Sequence, residues 1–492
     1  MVLFVGQLIY MESITRISWY DSRQEQLPEG VIDMNDTELA EEEERRHERM
    51  TTTPVSRLVL GLAGPSIVSM MVTTVYNTAD TWFVSRLGTS ASGAVSVVFA
   101  LMAIYQAIGF MFGHGAGSNI SVNLGAGHPE AARRYASTSF FWCLAVSAAF
   151  SAAGLLLLDP LMRLLGSTET ILPYARQYAF WVILAGPLLS ASCVLNNILR
   201  YEGHSSYAMV GLMTGGILNM AGDPLFMFVL GLGVSGAGIS TALSQTISFT
   251  ILLLMFRRKD IVSEFRPRYV AREIRTLADI VRVGLPSLFR QGLGSVATMM
   301  LNRQGAAYGD AAIAAMGIVS KVNNFGASIA IGIGQGFQPV SAYNYGAGCY
   351  GRVRRSFRFT MAAGTAVMVI FASVCLAFPA QIITWFREDP DVVAVGTAAL
   401  RYQALSSVFL GYSMTASMLF QSTRTSGRAA LIAAMRSGLF FIPLVMILPQ
   451  FLGIVGIEIA QPCADVLSFV VCLPITEIFL KGLGDGSPEE ML

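Results

Sequence analysis

The chain has 492 residues, 53% of them hydrophobic and only 13% charged, against roughly 25% charged in a soluble globular protein. A net charge of +1 gives no bulk attraction to nucleic acid. Uncharged windows of about 20 residues, each able to cross about 30 Å of hydrocarbon, recur too often for a water-soluble core, and their continuous rather than alternating pattern excludes a membrane β-barrel.

Residues 1–56 stand apart. MVLFVGQLIY is too short for a span, and no cleavage-site pattern follows it, so no signal peptide is expected. The run Glu41-Glu42-Glu43-Glu44-Arg45-Arg46 reads as a flexible cytoplasmic tail with room for a short helix. Apolar segments then fall at about 58–84, 93–124, 136–158, 173–199, 207–231 and 234–256, which makes a six-helix lobe over 57–256. A basic linker over 257–277 leads to a second set at about 278–302, 311–345, 359–380, 392–421, 429–450 and 453–480, a second lobe over 278–480, and a cytoplasmic tail over 481–492. With the N-terminus inside, the cytoplasmic connections, Arg200 among them, carry sixteen basic residues and the opposite side six. That is the sense of the positive-inside rule, and it places both termini in the cytoplasm.

The two sets repeat. A shift of 221 residues superposes Pro65 on Pro286, Gly88 on Gly309, Gly113 on Gly334, and Asn123-Leu124-Gly125-Ala126-Gly127 on Asn344-Tyr345-Gly346-Ala347-Gly348. Further along, Tyr178, Arg200 and Gly203 match Tyr402, Arg424 and Gly427 at a shift of 224. Six spans per half give both halves the same orientation. The expected fold is therefore an all-α polytopic membrane protein of twelve transmembrane helices, in two lobes related by a pseudo-two-fold axis along the membrane normal. Two lobes about a central pathway suit alternating access. No continuous polar filter of a channel is evident.

A carboxylate inside a membrane helix is costly and marks function. Asp80 lies in VYNTADTWFV in the first span and Asp223 in GGILNMAGDPLFMF in the fifth. Asn219 is one helical turn before Asp223, Tyr76 one turn before Asp80, and Thr241 sits in the sixth span. Together they form an oxygen-rich set suited to a hard cation, or to a proton shared between two carboxylates. Pro224 is expected to kink the fifth helix and free carbonyls beside Asp223. Glu202 and His204, in the loop after the fourth span, read as solvated or helix-end residues. The seventh to eleventh spans carry no acid, so coupling is expected to centre on the first half. In the twelfth span, Asp465 follows Pro462 and is a candidate cavity residue. IGIGQGFQPVSAYNYGAG places Gln335, Gln338, Pro339 and Asn344 on a proline-broken eighth helix that lines or gates the cavity, together with Pro65. Met299 and Met300 are soft side chains that suit ligands of varied shape, and equally suit ordinary packing.

No GxxxxGK[ST] loop is present, so neither ATP nor an ATP-binding subunit is expected as the energy source. HExxH is missing, and four histidines and six scattered cysteines form no metal spacing. No catalytic residues, no enzymatic activity and no cofactor are expected beyond Na⁺ or H⁺ as coupling ion.

GLAGPSIVSMMVTTVYNTADTWFVSRLG, GGILNMAGDPLFMFVLGLGVSGAGISTALSQ, IGIGQGFQPVSAYNYGAG and FIPLVMILPQFLGIVGIEIAQPCAD resemble the prokaryotic branch of the multidrug and toxic compound extrusion family, over about residues 56–480. The resemblance implies export of amphipathic, often cationic compounds in exchange for Na⁺ or H⁺, by a monomer in the inner cell membrane that deals with small molecules and lipids. It maps the family's N-lobe cation site onto Asp80, Asn219, Asp223 and Thr241, with Tyr76 and Asn197 nearby. Alternatives are export of one endogenous metabolite, or flipping of a lipid-linked precursor, whose anionic substrate would favour cations in the cavity. Arg290, Arg303 and Arg436 are the arginines placed for that.

Overall fold

The computed structural model describes residues 34–483. MVLFVGQLIY and the last tail residues lie outside it. Residues up to Arg49 form a unit separate from Met50 onward. The described part of that unit belongs to a helix, Met34–Thr52, in which Arg45 reaches Glu42 one turn away at 3.3 Å. The acidic run lies within this helix, for which the expected tail leaves room, and such i,i+3 pairs contribute to it.

The second unit is built on twelve long helices: α1 (Val55–Ser85), α2 (Thr89–Gly125), α3 (Pro129–Leu156), α4 (Leu172–Tyr201), α5 (Ser205–Pro224, continued by a π-helical turn Leu225–Val229), α6 (Gly233–Met255), α7 (Ile274–Gly305), α8 (Asp310–Gly346), α9 (Tyr350–Ala377), α10 (Pro390–Ser422), α11 (Ser426–Ala434, a π-helical turn Met435–Phe440, then Phe441–Leu452) and α12 (Ile454–Gly482). Short helices Leu158–Leu164 and Pro379–Phe386 follow α3 and α9. No strand occurs among the described residues. Ten of the twelve are long and apolar enough to cross a membrane on composition alone. The other two, α7 and α8, carry Arg290 and Gln291, and Lys321, Asn323 and Asn324, in their middle stretches. Polar residues of this sort are carried across a membrane by facing protein or a cavity rather than lipid.

The repeat runs at one register. The left-handed turn residues Gly88, Gly127 and Gly203 recur 221 positions on as Gly309, Gly348 and Arg424, and Arg424 is the one non-glycine with positive φ (61°) among the described residues. The start of α12 lies 221 residues after that of α6. Gly203 therefore corresponds to Arg424, and Arg200 to Gln421. The shift of 224 is a chance match of common residues. Arg200 is also no loop residue: it lies in the last turn of α4 and is 4% exposed.

The halves meet along α1, α2, α7 and α8. A Cβ on Gly125 of α2 would lie 2.1 Å from the Tyr343 carbonyl oxygen, and one on Gly346 of α8 would lie 2.0 Å from that of Val122. The same symmetry sets Gly115 against Ile280 and Gly284, and Gly336 against Ala63. These backbone contacts at small residues are the membrane mode of helix association. Ser118 Oγ adds a hydrogen bond to the Gln421 carbonyl at 2.8 Å. This seam closes the end of the bundle that carries the 126–128 and 347–349 turns.

At that end the 257–273 linker is tied down. Glu202, 3% exposed, accepts from the backbone of Val262 (2.9 Å) and Ser263 (3.0 Å). Ser137 Oγ donates to the Glu264 carbonyl at 2.6 Å. Glu202 is thus a buried helix-end residue, at the C-cap of α4, rather than a solvated one, and His204, at the N-cap of α5, joins it through the Asp260 carbonyl at 3.1 Å. Asp279, already inside the expected span at 278–302, lies in the first turns of α7 and accepts from Tyr135 Oη at 3.4 Å. The seventh span therefore does hold an acid, at its linker end.

Candidate cation-coupling site

Four helices bring their polar residues to one point in the N-terminal lobe. Asp80 comes from the last turns of α1, Asn219 and Asp223 from α5, Ser240 and Thr241 from α6, and Tyr178 from α4. Close approach permits this: a Cβ on Gly222 would meet Ser240 Oγ at 2.5 Å. Pro224 cannot donate a backbone hydrogen bond, and α5 continues past it as the π-helical turn Leu225–Val229, so the ladder is irregular immediately after Asp223.

Asp223 is fully buried and Asp80 is 3% exposed. Tyr178 Oη donates to Asp80 Oδ2 at 3.2 Å and lies 3.5 Å from Thr241 Oγ1. Asn219 Nδ2 stands 3.2 Å from Asp223 Oδ1, 3.3 Å from Thr241 Oγ1 and 3.4 Å from Ser240 Oγ. Each carboxylate so has one oxygen served by a neutral donor. Asp80 Oδ1 and Asp223 Oδ2 accept no hydrogen bond, and the two carboxyls face each other closely enough to share one when a single proton is held between them. No cationic side chain pairs with either among the described residues. Two buried anions without a counter-charge cost several kcal/mol each. One proton shared by the pair, or one hard monovalent cation among the carboxylate, hydroxyl and phenol oxygens, lowers that cost by offsetting one of the two charges. Among the described residues no group of three His, Cys, Asp or Glu forms a metal cluster, so a multi-carboxylate divalent-metal cage is not what these residues make.

The other predicted residues divide. Tyr76 sits beside Asp80 and packs on Gly216 of α5. Asn197 is spent elsewhere: its amide donates to the Cys193 carbonyl (2.7 Å) and its oxygen accepts from Arg200 Nη2 (2.7 Å). Tyr178 and Ser240 were absent from the expected set. Neither carries charge or periodicity that marks it before the helices are assembled. Gln338 donates to Gln421 at 3.1 Å, and Asn344 donates to the Met50 carbonyl at 3.0 Å and accepts from Arg352 Nε at 2.9 Å. Both, with buried Pro339, whose carbonyl accepts from Ser121 Oγ at 3.3 Å, hold the seam and its end rather than line open space. Gln335 is buried with Oε1 unpartnered. Pro65 is half-buried in α1, and its carbonyl accepts from Ser69 at 2.9 Å. Met299 is 57% exposed and Met300 half-buried. Asp465 is held by Arg436 Nε (2.7 Å), Gln461 (2.9 Å), Gln403 (3.0 Å) and Ser406 (3.3 Å).

A two-lobed bundle of twelve membrane helices with an unpaired pair of buried carboxylates in one lobe defines a membrane transporter. The MatE family model matches residues 65–225 and again 286–447, one match per half at the 221-residue shift, and the chain belongs to that family of multidrug and toxic compound extrusion transporters. It is 26% identical over 413 residues to the multidrug export protein MepA of Staphylococcus haemolyticus (strain JCSC1435), covering 83% of this chain and 91% of that protein. With MepA of Staphylococcus aureus (strain MSSA476) it shares 25% over 406 residues, or 82% and 90% of the two chains. Its fold matches a solved MATE structure in complex with MaL6 and an outward-facing multidrug resistance MATE transporter. In both cases the TM-score is 0.83 and identity 24%, over 88% of this chain and 98% of the other. The protein is thus a multidrug-efflux-type transporter of the cell membrane.

Proposed function

We propose that this chain exports amphipathic organic molecules, organic cations among them, by antiport against Na⁺ or H⁺ bound at Asp80 and Asp223. One observation carries the reading: two buried carboxylates present one unpartnered oxygen each and have no counter-charge. The linker and short-turn end faces the cytoplasm in this reading, in line with its basic residues. The closed seam is then the cytoplasmic gate, and the cluster, near the far ends of α1 and α5, loads from outside. Cation binding halves the charge of the pair and draws α1, α4, α5 and α6 around it. A drug in the pathway between the lobes is bound less tightly in that state. Coupling requires only this difference in affinity between two states. Coupling belongs to the N-terminal lobe alone. The positions 221 residues after Asp80, Tyr178, Asn219, Asp223 and Thr241 are Leu301, Ala399, Phe440, Leu444 and Pro462, which hold no ionisable group.

The test is transport of a fluorescent organic cation by purified protein in liposomes, with sodium and proton gradients imposed separately at clamped membrane potential. Acceleration by one gradient assigns the coupling ion. Indifference to both, in folded protein, refutes the antiport reading.

A further inference from the structure

A second polar cluster lies buried at the seam, and its sign is opposite. Arg200 and Tyr201 come from the end of α4, His114 from α2 and Arg290 from α7, and His114 and Tyr201 each lie within electrostatic reach of both arginines. His114 and Tyr201 meet edge to face, ring centroids 6.3 Å apart. Three of the four are at least nine-tenths buried: His114 is 1%, Tyr201 2% and Arg200 4% exposed. Few of their polar atoms are used. Arg200 Nη2 donates to Asn197 Oδ1 at 2.7 Å, Arg290 Nη2 reaches Ser287 Oγ at 3.4 Å, and His114 Nδ1 stands 3.1 Å from the Phe110 carbonyl. Arg200 Nε, Arg290 Nη1, His114 Nε2 and Tyr201 Oη have no hydrogen-bond partner. No acidic side chain pairs with either arginine among the described residues.

Two guanidinium groups, one from each lobe, Arg200 buried and Arg290 half-buried, cost desolvation energy with no acid to offset it. Packing does not explain them. The apolar seam beside them, Val122, Tyr201 and Ala342, is complete without a charge. Four unpartnered polar atoms beside one seam suit an oxyanion, and guanidinium donors match a carboxylate or phosphate in geometry as well as charge. We infer that His114, Arg200, Tyr201 and Arg290 form a seam site for the carboxylate or phosphate of an amphipathic anion, so that the transporter accepts anionic substrates as well as cations. The inference rests on the proposed transport function and widens its substrate class. An anion held between guanidinium groups of opposite lobes also ties the two lobes together at the seam. Its binding therefore favours the closed-seam state seen here.

The experiment uses the full-length protein in nanodiscs of phosphatidylcholine, with two fluorescent probes of the same body: 1-pyrenebutyrate and its trimethylammonium counterpart. Affinities are measured for the wild type, Arg200→Gln, Arg290→Gln, the double variant, and Arg303→Gln, a control at an exposed position. The expected result is a fall in the anion-to-cation affinity ratio of about tenfold for each seam arginine and none for Arg303→Gln. An unchanged ratio in the double variant overturns the site. Given that arginine dependence, phosphatidylglycerol nanodiscs separate the sources. Competition by the lipid in wild type but not in the double variant assigns a headgroup phosphate, and lack of competition assigns a free amphiphile. Gradient-driven export of the cationic probe by the wild type is measured alongside. Its failure while the seam-arginine variants still lower the ratio refutes antiport but not the seam site, and export with an unchanged ratio in those variants refutes the seam site alone.

Discussion

Each lobe buries aspartate, and the two lobes treat it in opposite ways. In the C-terminal lobe Asp465 meets Arg436 and three neutral donors, and both of its oxygens are served. In the N-terminal lobe Asp80 and Asp223 meet each other, a tyrosine and an asparagine, with one oxygen apiece left over and no positive charge at hand. The repeat does not relate the two clusters. The positions 221 residues before Arg436 and Asp465 are Gly215 and Ser244. Two lobes of one architecture therefore diverged into a site that brings its own counter-ion and a site that must borrow one. A carboxylate with a covalently tethered arginine is a strut. A carboxylate pair without one changes its interactions whenever a cation arrives or leaves, and that is the property an ion-coupled machine needs.

The comparison breaks most readily at the unpaired end. Asp223→Asn and Asp80→Asn are each expected to abolish gradient-driven efflux in liposomes while leaving the protein folded, because each removes a group whose ionised form is unfavourable in the apo state. The next largest effect falls on stability and in the other lobe. Arg436→Met strands Asp465 in the interior and is expected to cost about 3–5 kcal/mol, read as a fall in thermal unfolding temperature of the purified protein. Adding Asp465→Leu should recover most of it, because the cost lies in the lone charge rather than in the loss of the pair. Tyr178→Phe removes the phenol that serves Asp80 Oδ2 and should slow driven efflux about three- to tenfold without loss of fold. The smallest effect is that of Ser406→Ala. Its 3.3 Å contact duplicates one that Gln403 makes at 3.0 Å, so unfolding should shift by less than about 1 kcal/mol.

Much of this was readable from the chain alone, for identifiable reasons. Apolar runs report spans directly, and the twelve long helices overlap those runs. The pairing of Asp80 with Asp223 was legible because a carboxylate in an apolar run is rare enough to stand out singly. Tyr178 and Ser240 were not, since a phenol or hydroxyl in a helix attracts notice only when its partner helix is known. Arg200 was assigned to a loop because it adjoins one. Its burial depends on α2, which packs on the end of α4 from elsewhere in the chain. The late repeat register slipped by three residues because Tyr, Arg and Gly are common enough to match by accident, whereas the positive φ of Gly203 and Arg424 is not an accident. The link between Arg436 and Asp465 had a signal that went unused: Arg436 is the sole charged residue within α11 past its first turn, and an acid one helix away was its natural partner.

The most direct test sets the two lobes side by side. Asp223→Asn and Asp465→Asn proteins, both shown to be folded, are reconstituted at equal density, and efflux of a fluorescent organic cation is recorded with and without the gradient that drives the wild type. The account predicts that the Asp465 variant still responds to the gradient and that the Asp223 variant does not. A gradient response retained by the Asp223 variant, or lost only in the Asp465 variant, would contradict it.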